Sequence, residues 1–196
     1  MKFIKYLLIL VVVAVVVFIG SGLLRPSQTY SSEITVEKSI EEAWAVMQDD
    51  SKTSQWLKSI TDVKHVSGDK GKVGGVTEYT FTDDGQESKV LETITSVVPN
   101  EHIAMDFVMP DVMTMDYKME ISEKDGKTHI KSSTIAEGTG LFMQSMFSFM
   151  GSSLKAQEDE NMNNLKEVID NNTTDYFPVP EPIEEVEVVE VVGNEG

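Results

Sequence analysis

The chain has no cysteine. Disulfides, thiolate nucleophiles and cysteine-held metals are therefore excluded, and thiol chemistry gives no clue to its compartment. Histidine is scarce: His65, His102 and His129 lie well apart, and no spacing among them points to a metal site. Bases are scarce too, with 16 Lys and Arg against 33 Asp and Glu and a net charge of -17. After Lys5 no Lys or Arg cluster occurs. That argues against a nucleic-acid partner, because a phosphate backbone needs a basic patch. A nucleophile elbow, a phosphate loop, a dinucleotide fingerprint and a zinc motif are all missing. The expectation is no cofactor, no metal and no catalytic residue assignable by motif.

What is present begins with a membrane segment. From Tyr6 to Leu24 no residue is charged. Those 19 residues approach the ~20 that span ~30 Å of hydrocarbon. The run of valines suits lipid, where a helix satisfies every backbone group internally. Residues 1–25 therefore read as a transmembrane anchor, touching lipid over residues 6–24. A cleaved signal peptide is the rival, with "GSG" at 20–22 as the small-residue cut site. Apolar character resumes at Leu23 and Leu24, which favours the anchor. Lys2 and Lys5 place the N-terminus in the cytoplasm by the positive-inside rule. The rest of the chain is then expected on the extracytoplasmic side of the cell membrane. Either reading exports it.

Residues 26–32, "PSQTYSS", read as a polar linker, and "EITVEKS" (33–39) as a first strand. Ser39 and Glu42 form a capping box ahead of a helix with Ala43, Trp44 and Met47 on its apolar stripe. A second short helix is expected from Ser51, carrying Trp56 and Leu57. Six strands follow, punctuated by "DDGQ", "PNE", "PD" and "EKDG". Parallel strands would need helical crossovers, for which there is no room, so the sheet is antiparallel. One long helix runs from about Thr139 to about Asn171. Residues 173–196 are acidic, proline-interrupted and free of Lys and Arg, and read as a mobile tail. The alternation in "VEVVEVV" leaves an added strand as the other option.

This order resembles the helix-grip superfamily (SRPBCC), which includes START lipid-transfer domains, birch-pollen-allergen-like proteins and polyketide cyclase/dehydrase-like proteins. "ITVEKSIEEAWAVMQDDSKTSQW" resembles that family's opening strand and two helices. "GKVGGVTEYTF" is similar to its glycine-marked entry into the next strand, and "ETITSVVPNEHIAMDF" to its strand, proline turn and strand. The resemblance covers about Ser32 to Asn171. It implies an α+β helix-grip fold over residues 33–172: a curved antiparallel sheet gripping the long C-terminal helix, with a cavity between them. Most members bind apolar ligands and a minority are enzymes.

The greasiest stretch of the domain, "GTGLFMQSMFSFMG" (138–151), carries no charge. It is too short and too interrupted for a second membrane pass. Helical spacing gathers Phe142, Met143, Met146, Phe147, Phe149 and Met150 on a broad stripe. Period-2 alternation puts Met113, Met115, Tyr117, Met119 and Ile121 on one strand face, and Ile103, Met105, Phe107 and Met109 on another. Methionine is a flexible gap-filler at adaptable binding surfaces. A filled core and a deformable cavity both fit these residues. The cavity would be lined by Tyr79, Phe81, Met105, Phe107, Met115, Tyr117, Met143, Met146, Phe147 and Met150.

Acid–base candidates on the inner wall are few. Glu92 shares parity with Val90 and Ile94, but Leu91, Thr93 and Val97 make an equally good inner set. The second set is preferred, and it sends Glu92 to solvent. His102 and Asp106 fall opposite the apolar face of their strand. His129 competes with Thr128 and Ile130 for the inside, and His65 reads as surface. The expected function is a membrane-anchored domain that binds an apolar small molecule or lipid. The alternatives are a cyclase/dehydratase-like enzyme using an inward acid–base residue, and a structural or partner-binding domain without ligand.

Overall fold

The computed structural model describes residues 2–83 and 85–178. The stretch beyond residue 178, including "VEVVEVV", lies outside the described residues. Helix α1 (Lys2–Leu24) leads directly into strand β1 (Ser27–Val36). Two short helices follow, α2 (Ile40–Met47) and α3 (Asp50–Trp56). The remaining strands are β2 (Ile60–Ser67), β3 (Val76–Asp83), β4 (Gln86–Val98), β5 (His102–Met109), β6 (Met113–Lys124) and β7 (Lys127–Gly138), and α4 (Gly140–Asp170) closes the order. The strands form one seven-stranded sheet, β1-β7-β6-β5-β4-β3-β2, antiparallel throughout. This is the helix-grip arrangement that the resemblance implies.

Local chemistry accounts for the element boundaries. The Ser39 hydroxyl accepts from the Glu42 backbone N–H at 3.2 Å, while the Glu42 carboxylate turns to Lys38, so half of the expected capping box forms. Helix α3 begins one residue earlier than expected, capped by the Asp49 carboxylate on the Ser51 N–H at 3.0 Å. The β6–β7 hairpin turns on Asp125 and Gly126, both at positive φ, which matches the twist of the flanking strands.

The expected linker at 26–32 is corrected by β1, which begins at Ser27. It pairs with β7 continuously from Ser27↔Glu137 to Val36↔Thr128. Ser, Gln and Thr hide a strand from composition, but the ladder is built from backbone groups and does not need apolar side chains. Only Arg25 and Pro26 separate α1 from β1.

The core sits at one end. Ile34, Val36, Ala43, Val46, Ile94, Ile103, Met105, Met119, Ile121, Ile130, Met162, Leu165 and Ile169 are buried together, with Phe107 and Tyr117 packed against them. They join the second half of α4 to α2 and to β1, β4, β5, β6 and β7. Tyr176, just past α4, packs on this cluster and donates from its hydroxyl to Asp49 at 2.6 Å. The first residues of the expected tail are therefore held against the domain.

The first half of α4 packs on the end of α1 instead. The Phe18 ring lies 5.7 Å from Phe142 and 6.2 Å from Phe149, stacked on the latter. The Ser148 hydroxyl donates to Ser21 Oγ at 2.7 Å. A Cβ on Gly22 would come within 2.6 Å of the Ser145 backbone nitrogen. Small residues thus let the two backbones approach closely, as they do between helices in membranes. The "GSG" that suggested a cut site is part of this joint.

Candidate functional site

Residues directly opposite in an antiparallel pair share a face. Tyr79 lies opposite Val90, Thr77 opposite Glu92, Glu92 opposite Phe107, Ile94 and Tyr117 opposite Met105, and Phe107 opposite Met115. The inner face therefore carries Tyr79, Phe81, Met105, Phe107, Met115 and Tyr117 together. Met105 is buried and the other five are half-buried, with Phe107 and Tyr117 packed against the core cluster. Phe107 meets Tyr117 edge-on with centroids 6.0 Å apart. Helix α4 rests chiefly on β1 and β7, which leaves the β3–β6 half of the wall less covered.

Glu92 is the main correction to the sequence reading. It points inward and is only 7% exposed. The cause is a register shift between Ile94 and Ser96. Before it, Val90, Glu92 and Ile94 face inward; after it, Val97 does, opposite Ile103. Both candidate sets were half right, because an extra residue exchanges the faces midway along the strand. The Tyr79 hydroxyl donates to Glu92 Oε2 at 3.0 Å. Burial pushes the Glu92 carboxyl up to about 7, against the opposing effect of that bond. Burial, and then the neighbouring Glu92, raise the Tyr79 hydroxyl above its ordinary range.

A second pair lies on the same face toward α4. The Tyr117 hydroxyl donates to Glu158 Oε1 at 3.0 Å, and Glu158 is buried. Burial, and then Glu158, hold Tyr117 well above its usual value. Tyr30, on β1, is pushed up to about 12 by burial and then by Glu158. The buried Ser132 and Thr134 hydroxyls lie beside the Tyr117 and Tyr30 hydroxyls respectively, and Asn161 Oδ1 is buried with no hydrogen-bond partner.

Sequence reasoning missed Glu158 and Tyr30. A signal existed for Glu158. It stands four residues from Leu154, four from Met162 and seven from Leu165, in phase with the apolar stripe of α4. Tyr30 was hidden in the segment read as linker.

The four candidates on α4 divide. Phe147 is buried, Met143 is half-buried, and Met146 and Met150 are 37% and 38% exposed. At 100° per residue, Met143, Met146 and Met150 lie on the flank that also carries Asn164. The Asn164 amide donates to the Trp56 carbonyl, so this is the α3 side of the helix, beyond the end of α3. Phe142 and Phe149 are not on that flank; they lie on the α1 side. His102 and His129 are on the outer face, against Ser96 and Thr35 respectively, and His65 bonds the Gly68 carbonyl at the surface. A hollow of about 450 Å³ on the outer face is lined by Glu33, Glu101, His102, Glu120, His129 and Lys131. Its charged lining contrasts with the inner wall.

A family profile described as "Polyketide cyclase / dehydrase and lipid transport" matches residues 27–170. No curated protein matches by sequence. Solved structures match in number. The crystal structure of Ara h 8.0201 superposes with a TM-score of 0.59 at 19% identity, covering 74% of this chain and 99% of that one. A protein from Thermus thermophilus gives a TM-score of 0.60 at 11% identity, covering 72% of this chain and 96% of that one. The di-domain ARO/CYC StfQ from the steffimycin biosynthetic pathway gives 0.58 at 9% identity, with 72% of this chain and 50% of that one covered. At these identities the likeness is one of fold.

Proposed function

Because the chain belongs to the polyketide cyclase / dehydrase and lipid transport family, we propose that it holds an apolar small molecule or lipid against the inner face of its sheet, at a membrane in which α1 anchors it. Membership implies ligand binding or cyclase-like chemistry. The observation that carries the binding reading is the composition of the half-open wall. Phe81, Phe107, Met115 and Tyr117 offer apolar area, and the buried polar groups of Ser132, Thr134 and Asn161 offer hydrogen bonds at one end. Apolar pockets with a few placed polar groups are the usual form of small-molecule sites. Helix α1 is long and apolar enough to cross a membrane, which fits a single-pass anchor or a signal sequence. With Lys2 and Lys5 inside, the domain stands on the extracytoplasmic side.

The full chain, purified gently in lipid nanodiscs, is expected to release a co-purifying apolar molecule in native mass spectrometry. It should also bind a fluorescent fatty acid that Thr134→Phe no longer admits. A preparation that carries nothing and binds no probe would reject the reading and leave a structural or partner-binding domain.

One observation favours an enzyme as a second reading. A carboxyl pushed up to about 7 beside a tyrosine hydroxyl is suited to proton transfer near neutral pH. A cyclase- or dehydratase-like reaction would use Glu92 on a ligand lying along Phe107. Its mark would be turnover that Glu92→Gln abolishes while probe binding persists.

A further inference from the structure

Among the described residues outside α1, exposed large apolar side chains gather most densely in one place. Leu141, Phe142, Met146, Phe149 and Met150 are all exposed, Phe142 and Phe149 by 65% and 63%. They occupy the first three turns of α4. No charged residue occurs from Gly138 to Leu154.

The joint with α1 gives these residues a depth. Helix α1 has 23 residues, or about 34 Å at ~1.5 Å each, slightly more than the ~30 Å of a hydrocarbon core. Lys2 and Lys5 mark one end, and Arg25 follows the other. Phe18 is six residues before Leu24, about 9 Å inside the far end. Phe142 and Phe149 lie beside it, at 5.7 and 6.2 Å between ring centroids. If α1 spans the bilayer, those two rings are at the level of the acyl chains.

We propose that the first three turns of α4 lie in the boundary between acyl chains and headgroups of the bilayer that α1 spans, with the Met143, Met146 and Met150 flank as a lipid-facing port to the inner wall. This rests on the anchored reading of α1. Interfacial helices bury an apolar face by ~5–10 Å, which matches the depth of Phe18. Phe142, one turn before Met146 and exposed like it, adjoins this flank on one side and Phe18 of α1 on the other. A protein partner there would displace acyl chains already as apolar as the residues they cover, so it has no hydrophobic gain. Lipid is the occupant that fits.

The absence of native cysteine makes the test direct. Met146→Cys, Met150→Cys and Gln157→Cys variants of the full chain are labelled with an environment-sensitive fluorophore. Each is reconstituted in phosphatidylcholine/phosphatidylglycerol vesicles, with and without lipid carrying a spin label in mid-chain. Gln157 is exposed two turns further along the same flank. Labels at 146 and 150 are expected to be blue-shifted and quenched several-fold more than the label at 157. Equal quenching at all three sites, or none at 146 and 150, overturns the proposal. Labels at 146 and 150 shielded from aqueous iodide yet untouched by the lipid quencher also overturn it, in favour of a protein or second-copy contact. Intact mass separates the two readings. A mature chain starting near Leu23 removes the anchor. A retained α1 with unquenched labels leaves the anchor standing and rejects only the port.

Discussion

Glu92 gives the domain a pH dependence that a surface acid does not have. In the folded state burial raises its carboxyl to about 7 from an ordinary 4.5. The folded state therefore holds this proton more tightly than the unfolded chain does. Its contribution to stability is whole below pH ~4.5, declines as pH rises through ~7, and is constant above that. At ~1.36 kcal/mol per pH unit the loss is on the order of 3 kcal/mol. Glu92→Gln keeps the shape and the Tyr79 contact but cannot ionise. Urea unfolding of both proteins from pH 4.5 to 8.5 should show the wild type losing ground to the variant across that interval. Parallel profiles would mean that Glu92 is solvated. The other inner acid, Glu158, differs in its neighbours: the buried polar groups of Ser132, Thr134 and Asn161 and two tyrosines share its end of the wall.

At the scale of an element, α4 is two helices in one. Its second half puts Met162, Leu165 and Ile169 into the close-packed core, and its first half meets α1 and open space. Met146→Ala should therefore cost less than ~1 kcal/mol, since an exposed methionine already lacks part of its contacts. Phe147→Ala, three turns before Glu158 and 4% exposed, should cost ~3–5 kcal/mol. Similar losses in chemical denaturation would put Met146 in the core and close the flank. The sequence made the elements legible wherever the apolar period was clean. Met113 to Ile121 alternates without fault, and β6 is found there with that face inward. It misled where one local event outweighed the pattern. The shift after Ile94 exchanges the faces of β4, and no residue type announces it. The segment from Ser27 to Ser32 is a strand because β7 offers it a partner, which composition does not register. The stripe on α4 was visible, but its division between α1 and the sheet needed the position of a helix over a hundred residues away.

For the whole molecule, the joint between α1 and the domain is the least expected feature, and it admits a covalent check. Ser21 and Ser148 approach to 2.7 Å between hydroxyls. In a chain without cysteine, Ser21→Cys with Ser148→Cys should cross-link readily under mild oxidation, because facing side chains so close are within disulfide reach. The product should migrate as a closed loop on non-reducing gels, and Gly22→Leu, which drives a side chain into the Ser145 backbone, should suppress it. Failure to cross-link in vesicles would mean that α1 leaves α4. The short connection carries a wider consequence. Arg25 and Pro26 alone join α1 to β1, and two residues reach at most ~7 Å. A ferry between two membranes needs slack, and this chain has almost none. On the proposed anchored reading of α1, so short a tether would moor the domain to a single bilayer, and whatever it bound would be taken from that one shore.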